Sequence, residues 1–254
     1  MTPPTHIIRK NSELPELYHA LTAGDIIACR LSLKYDEEHL LLDLMERGVH
    51  LIPSATSQLA SRSKTFQARL LAPYMVPHTT AIYDIHGLLN TISIYGLHQV
   101  DKVVLKHDRK NAGLGINLYE SIEDIYNQAT NNSISYPFVV QPFVPDSHDI
   151  RVIILGDHTE AYERSNPGNF RNNLHCGGVS RPFQLNTEQH ALCKKIMTRA
   201  SFPYGHLDLM ITKKNEIYLA EINLRGGVRG AAIDPASYQK KVKAVEENLL
   251  HKIQ

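Results

Sequence analysis

Two apolar runs separated by a short polar turn constrain this chain more than anything else in it: Gly205-His206-Leu207-Asp208-Leu209-Met210 and Tyr218-Leu219-Ala220-Glu221-Ile222-Asn223. The first carries one acid, and the second carries an acid and an amide two residues apart. Alternate residues of a strand share a face, so Glu221 and Asn223 point the same way. If Lys213-Lys214-Asn215 turns the runs into a hairpin, Asp208 faces that side as well. Three oxygen donors around one point suit a hard cation such as Mg²⁺, which takes few protein carboxylates and fills its shell with phosphates and water. A plain hairpin with two solvated acids fits the same residues, so the upstream chain has to decide.

Upstream, Val103-Val104-Leu105 ends in Lys106, and a polar loop runs from His107 to Gly113-Leu114-Gly115. A cation at a strand end followed by Gly-x-Gly is what a phosphate-covering flap needs, because glycines let backbone N–H groups approach phosphate oxygens. The lysine precedes the glycines, which excludes a Walker loop; the missing third glycine and acid exclude a Rossmann turn. A surface turn carries the same pattern. Next, Val139-Val140-Gln141-Pro142-Phe143-Val144-Pro145 is a strand entering a proline-stiffened apolar connector. It could sandwich a planar base beside its backbone groups or simply join two core strands; Pro142 keeps its carbonyl but has no N–H. The stretch from Tyr162 to Gly178 then gathers Arg164, Arg171, four asparagines and a glycine pair. Arginine forks match planar carboxylates and phosphates, and binding residues collect on loops held by a rigid scaffold. A solvated loop has a similar composition.

Composition narrows the classes. With 254 residues, 43% of them hydrophobic, the chain can bury a sizeable core in one domain or in several lobes around a cleft. A formal net charge of +1 supplies no field toward nucleic acid or anionic membrane. No apolar run approaches the roughly 20 residues of a membrane span, and the start lacks signal-peptide architecture. Cys29, Cys176 and Cys193 suggest neither a disulfide framework nor a zinc site, so a cytoplasmic protein is expected. The fourteen histidines never fall into a tight ligand spacing, and only His175, inside the donor-rich stretch, stands out.

Alternating strands and helices predict an α/β chain. Strands are expected at 25–29, 49–52, 102–106, 138–141, 150–155, 161–164, 207–211 and 217–222, with a further strand after Pro77. Helices are expected at 36–47, from about 53, and at 64–71, 85–94, 187–199 and 235–251. The first sixty residues read as a small lobe on a parallel sheet.

In order, Lys64, Lys106 with Gly113-x-Gly115, Gln141-Pro142-Phe143-Val144, Asp149-Ile150-Arg151, the 169–178 stretch, Asp208 and Glu221-Ile222-Asn223 resemble an ATP-grasp ligase. They most resemble the RimK-like branch, which attaches amino acids, often glutamate, to carboxyl groups. The likeness runs from about residue 25 to 230, and 169–178 is its most specific part. It implies three lobes, 1–60, 61–140 and 141–254, with ATP between the central and C-terminal ones. Lys64 and Lys106 would bind the ATP phosphates under a flap carrying Gly113 and Gly115. Gln141, Pro142, Phe143 and Val144 would hold adenine, and Asp149 would lie near the ribose. Asp208, Glu221 and Asn223 would hold two Mg²⁺ or Mn²⁺ ions. Arg171, Asn172 and Asn173 would meet the γ-phosphate side and the reacting carboxylate, and Arg164 the acyl phosphate. The implied partners are a small-molecule or peptide carboxylate and an amine, without nucleic acid or membrane; a homo-oligomer is left open. A nucleotide-binding protein without ligase activity, a kinase-like enzyme and a ligase of another branch are the rivals.

Two departures from the family pattern matter. After Glu-x-Asn the chain reads Leu224-Arg225-Gly226-Gly227-Val228-Arg229, where the family has a Ser-Pro-Gly-like turn. Arg225 is therefore a candidate for an anionic substrate; equally, Gly226-Gly227 could begin the last helix with the arginines solvated. Pro142 replaces a common glutamate, which leaves adenine recognition to its carbonyl.

Overall fold

The computed structural model describes residues 5–110, 115–168, 170, 172, 174 and 177–254. Three short strands, β1 (Ile7–Ile8), β2 (Ile26–Ile27) and β3 (His50–Leu51), form a parallel sheet in that order. Parallel neighbours need crossovers, supplied here by segments carrying α1 (Leu14–Leu17) and α2 (His39–Glu46). Asp36 sits at φ 64°, in a turn, so α2 starts three residues later than the sequence suggests. Successive side chains of β2 face opposite ways. Ile27 packs with Ile8, Leu41 and Leu44 under the crossovers. Ile26 packs on the other side with Ala28, Ile52 and Leu250, the last from the final helix, α8 (Pro235–Ile253). Strands covered on both faces read as unbroken apolar pairs, as β1 and β2 do, whereas β3 keeps His50 exposed.

After α3 (Ala55–Ala60) and α4 (Lys64–Leu70), an antiparallel sheet runs in the order β4 (Thr80–Ile82), β7 (Phe138–Pro142), β5 (Val103–His107), β6 (Ile116–Tyr119). Val103, Leu105, Phe138 and Val140 face α5 (Ile85–Leu97) and α6 (Ile122–Thr130), in a core with Leu88 and Ile125. Their strand neighbours therefore face the other way. Val104, Lys106 and Gln141 are among them, and all three line a cavity. Neither β6 nor α6 stood out in the sequence, although Ser121 and Asp124 form a capping box at the start of α6.

The third sheet is antiparallel, in the order β10 (Val179–Phe183), β9 (His158–Ser165), β8 (His148–Leu155), β11 (Tyr204–Ile211), β12 (Ile217–Asn223). The unanticipated β10 is an edge strand, where Pro182 can sit without breaking a ladder. The inner side chains of β8, β11 and β12 join α7 (Thr187–Arg199), α8 and α4 in the largest core, including Ile150, Leu207, Ile222, Cys193, Val242 and Ala68. Among the described residues, no helix is long and apolar enough to cross a membrane.

One buried amide locks α4 onto β12. Gln67 Nε2 donates to the Ile222 carbonyl at 2.8 Å and to the Ala60 carbonyl at 2.6 Å, while its oxygen accepts from the Ile222 N–H at 3.0 Å. Leucine at this position would fill similar space but strand three backbone groups without partners. We expect Gln67→Leu to lose about 2–3 kcal/mol of stability, read as a lower urea midpoint with an unchanged slope.

Candidate active site

Strand register builds the site. Across four neighbouring strands, Tyr162, Arg151, Asp208 and Glu221 fall opposite one another in a single row. Asp208 and Glu221 are direct cross-strand partners. Like charges so placed repel, so the row stands only because cations surround it. Arg151 grips Asp208 with both prongs, Nε to Oδ1 and Nη2 to Oδ2 at 2.8 Å each. Arg164 adds a third contact to Asp208 at 3.1 Å and donates to Asp149 at 2.6 Å. Burial alone would push Asp208 up, but the charges and hydrogen bonds of Arg151 and Arg164 hold its carboxyl far below the usual carboxylate range. Burial raises Asp149 instead, with Arg164 opposing and the Asp208 charge adding to the rise.

The register slips between Asp208 and Leu209, because β12 carries one extra residue, Ala220. A bulge frees the extra residue's backbone from the ladder. The Ala220 carbonyl accepts from Lys106 Nζ at 3.2 Å, and Gln141 Oε1 accepts from the same ammonium at 2.7 Å. Burial pushes the Lys106 ammonium down to about 8, with Glu221 resisting and Lys64 reinforcing the fall. On the far side of Glu221, Lys64 lies 3.5 Å from its carboxylate.

The loop after Lys106 is anchored at its start. Asp108 caps α4, accepting from the Thr65 N–H at 3.0 Å and the Ser63 hydroxyl at 3.1 Å. Arg109 reaches Glu38 at 2.9 Å and Asp108 at 2.7 Å, and Lys64 Nζ donates to the Lys110 carbonyl. The loop closes where the His107 N–H meets the Gly115 carbonyl at 2.7 Å. A Cβ on Gly115 would come within 2.5 Å of Lys110 Cβ, so the glycine serves closure of the loop itself.

A cavity of about 560 Å³ opens onto the charged row. That size falls in the roughly 300–1,000 Å³ range of small-molecule sites. Lys106, Gln141, Phe143, Val144, Asp149 and Arg164 line it. Asn172, Asp208, Glu221, Asn223 and Arg225 line it as well. Lys64, Gly115 and Pro142 are not in its wall, although Lys64 touches it through Glu221. Gly113, Arg171, Asn173 and His175 lie outside the described residues. Sequence reasoning did not single out Arg30, Ser61, Leu209 and Met210, which also line it. Arg151 was quoted in a motif without a role, and its spacing from Asp149 was the available signal, since i and i+2 share a face.

Gly226 does not begin the last helix, which starts at Pro235 behind the cap Asp234. It passes over the His206 ring, where a Cβ would lie 2.6 Å from Nδ1. His206 Nε2 pairs with the Tyr238 hydroxyl at 3.0 Å. Burial, with Arg151 and Arg164 nearby, brings His206 down to about 4 against the pull of Asp208, so the ring is neutral at pH 7.

Two observations bear on a nucleotide with its cation. Arg164 Nε, in the wall of the cavity, is buried without a partner among the described residues, a donor available to an anion. Among the described residues no three His, Cys, Asp or Glu side chains cluster as metal ligands, so the donors are two carboxylates and the Asn223 amide. Mg²⁺ accepts such a sparse protein set, and Asp208 Oδ1, with a single arginine contact, keeps a lone pair for it. The residues fit the pair.

Residues 61–237 match the family model of the RimK-like ATP-grasp domain. A protein of Haemophilus ducreyi named probable alpha-L-glutamate ligase is 27% identical over 189 residues, covering 72% of this chain and 61% of its own length. One of Cellvibrio japonicus with the same name is 25% identical over 195 residues, covering 72% and 62%. The chain thus spans about three fifths of the length of these curated relatives. Among solved structures, D-cycloserine synthetase DcsG gives a TM-score of 0.61 at 12% identity, with 98% of this chain and 99% of that one covered. ATP-grasp ligase PsnB complexed with precursor peptide PsnA2 and AMPPNP gives 0.57 at 17% identity, with 83% and 67% covered.

Proposed function

From its membership of the RimK-like ATP-grasp family, whose fold the chain shares, we propose that this protein is an ATP-dependent carboxylate–amine ligase. The observation that carries the proposal is the row Arg151–Asp208–Glu221, with Lys106 and Arg164 beside it, facing one cavity. The curated relatives named as glutamate ligases support an amino acid such as glutamate as one substrate, and a small molecule or peptide as the other. The lobes in this reading are 1–60, 61–140 and 141–254, with the nucleotide between the last two.

The chemistry follows from charge. A substrate carboxylate attacks the γ-phosphoryl group of ATP, giving an acyl phosphate and ADP. The amine then attacks the acyl carbon, and a tetrahedral intermediate expels phosphate to leave an amide. The first step crowds anions together, so catalysis is positioning and neutralisation. Lys106 would hold phosphate oxygens, with Gln141 orienting its ammonium. Arg164 would turn its free Nε toward the transferred group. Asp208, Glu221 and Asn223 would hold Mg²⁺, which supplies charge neutralisation between the phosphates. Gln141 to Val144 would flank adenine, and Asp149 the ribose. Arg171, Asn172 and Asn173 are assigned to the reacting carboxylate by the resemblance, and Gly113 with Gly115 to the loop above. Water destroys acyl phosphates, so the site has to close before reaction.

The test is incubation with ATP, Mg²⁺ and a panel of acids and amines led by glutamate, with ADP release and new masses read together. A ligase gives ADP and an amide in equal amounts. ADP with a stable phosphorylated product indicates the kinase-like chemistry instead, and no ADP with any pair leaves a nucleotide-binding protein.

A further inference from the structure

A second cavity of about 460 Å³ lies beside the first and shares two wall residues with it, Arg30 and Arg225. Arg30 follows β2, and its segment is pinned by Asn11, whose Nδ2 donates to the Arg30 carbonyl at 3.0 Å and whose Oδ1 accepts from the Ser32 N–H at 2.6 Å. Arg225 comes two residues after Asn223, roughly 7 Å of extended chain from the cation-binding end of the site. The lining carries five cationic side chains, Arg9, Lys10, Arg30, Arg225 and Lys243, against Glu246 and Glu247. Both acids are engaged: Glu247 pairs with Arg9, and Glu246 accepts from the Tyr204 hydroxyl.

Among the described residues Arg30 and Arg225 form no ion pair, and Glu246 attracts Arg225 only at longer range. Arg30 Nε is buried with no hydrogen-bond partner among the same residues. Nearby Arg62 shows the contrast, since its guanidinium is spent on the Leu33 and Leu31 carbonyls at 2.9 and 2.5 Å. Two close guanidiniums without an acid repel each other, and burial deepens the cost. Arg225 does act to lower Arg30, after burial itself. An anion between them would reverse that cost and satisfy the orphaned donor, since planar oxyanions match guanidinium forks.

We propose that this second cavity binds an oxyanion, a carboxylate or phosphate carried by the substrate at a distance from its reacting carboxylate or amine. The inference rests on the ligase reading and deepens it. The shared wall lets one molecule place its charged tail between Arg30 and Arg225 and its reacting end beside Asn223. Uncharged substrates of similar size gain nothing there, so the cavity selects for doubly functional acids.

The test uses the full chain saturated with Mg–ADP, and titrates glutarate, inorganic phosphate and the neutral pentane-1,5-diol by calorimetry. Glutarate is expected to bind and the diol not to bind, with about tenfold or greater weakening in both Arg30→Met and Arg225→Met. Binding of phosphate in place of glutarate, with the same loss in both variants, supports the oxyanion site and assigns its ligand to a phosphate-bearing substrate. Arg225 is exposed, so that variant folds even if Arg30→Met does not. Absence of anion binding to the parent, or equal binding by parent and Arg225→Met, overturns the proposal. Mg–ADP binding to the parent is measured separately. Its failure counts against the ligase reading, and the anion titration on free protein then decides the cavity alone.

Discussion

Glu221→Gln is expected to abolish ATP turnover while leaving the fold standing. Glu221 faces Asp208 across the ladder and is flanked by Lys64 at 3.5 Å and by Lys106, which reaches the neighbouring Ala220 carbonyl. Its carboxylate lines the cavity rather than filling the core, so an isosteric amide disturbs little packing. What it removes is one of two negative charges available to a cation, and with it the balance against the lysines. Loss of a preorganised electrostatic contact of this kind costs about 10²–10³ in kcat. Unfolding should shift only slightly, because Lys64 keeps the Lys110 carbonyl. Steady-state ADP release and thermal unfolding, measured side by side, provide the check; ADP formation within a few-fold of the parent would remove Glu221 from the site. Asn223→Ala should follow the same course more mildly, since a neutral ligand contributes less to charge balance.

Asp208→Asn should instead be a stability variant as well as a catalytic one. Asp208 holds both prongs of Arg151 and one contact to Arg164, and the side chains of all three are largely buried. Removing one partner of a buried ion pair leaves the other charge stranded, at a cost of roughly 3–5 kcal/mol. For a chain of this size that lowers Tm by about 10 °C. The pH dependence has a defined sign. Asp208 is held below its unfolded value, so its contribution is complete above about pH 4 and is lost as pH falls toward the folded-state value. Asp149, raised by burial, works in the opposite direction. The difference between parent and Asp208→Asn carries the Asp208 ion pairs together with the part of the Asp149 rise that the Asp208 charge supplies, and it should shrink in acid as the ion pairs are lost. A difference that grows in acid, or a variant as stable as the parent at neutral pH, would show that Asp208 is not paired as described.

Local patterns carried much of this molecule. The apolar runs around Asp208 and Glu221 announce their strands, and alternation within Val103–Lys106 and Phe138–Gln141 separates core from cavity. What the residues could not announce was register. Nothing near Tyr162 or Arg151 says that they will stand level with Asp208, because pairing between β8, β9 and β11 is settled by packing over long separations. The bulge at Ala220 was hidden for the same reason, since an alanine in an apolar strand has no local mark. The loop after Lys106 promised mobility through Gly113 and Gly115. Its anchors, Asp108 on α4 and Arg109 on Glu38, depend on partners 43 to 71 positions away. Arg30 was overlooked because an arginine after a two-residue strand resembles any surface charge until the second cavity closes around it.

The last helix gives the chain an order of assembly that runs against the order of its synthesis. Ile26, Ala28 and Ile52 lie in or just after β2 and β3, yet their cover comes from Leu249, Leu250 and Ile253, far later in the chain. Until those residues emerge, one face of the parallel sheet meets water, and exposed apolar strands are where nascent chains associate wrongly. The four-stranded antiparallel sheet, whose core is completed by α5 and α6, has everything it needs earlier. Folding should therefore finish at the parallel sheet, with α8 docking as the act that completes it.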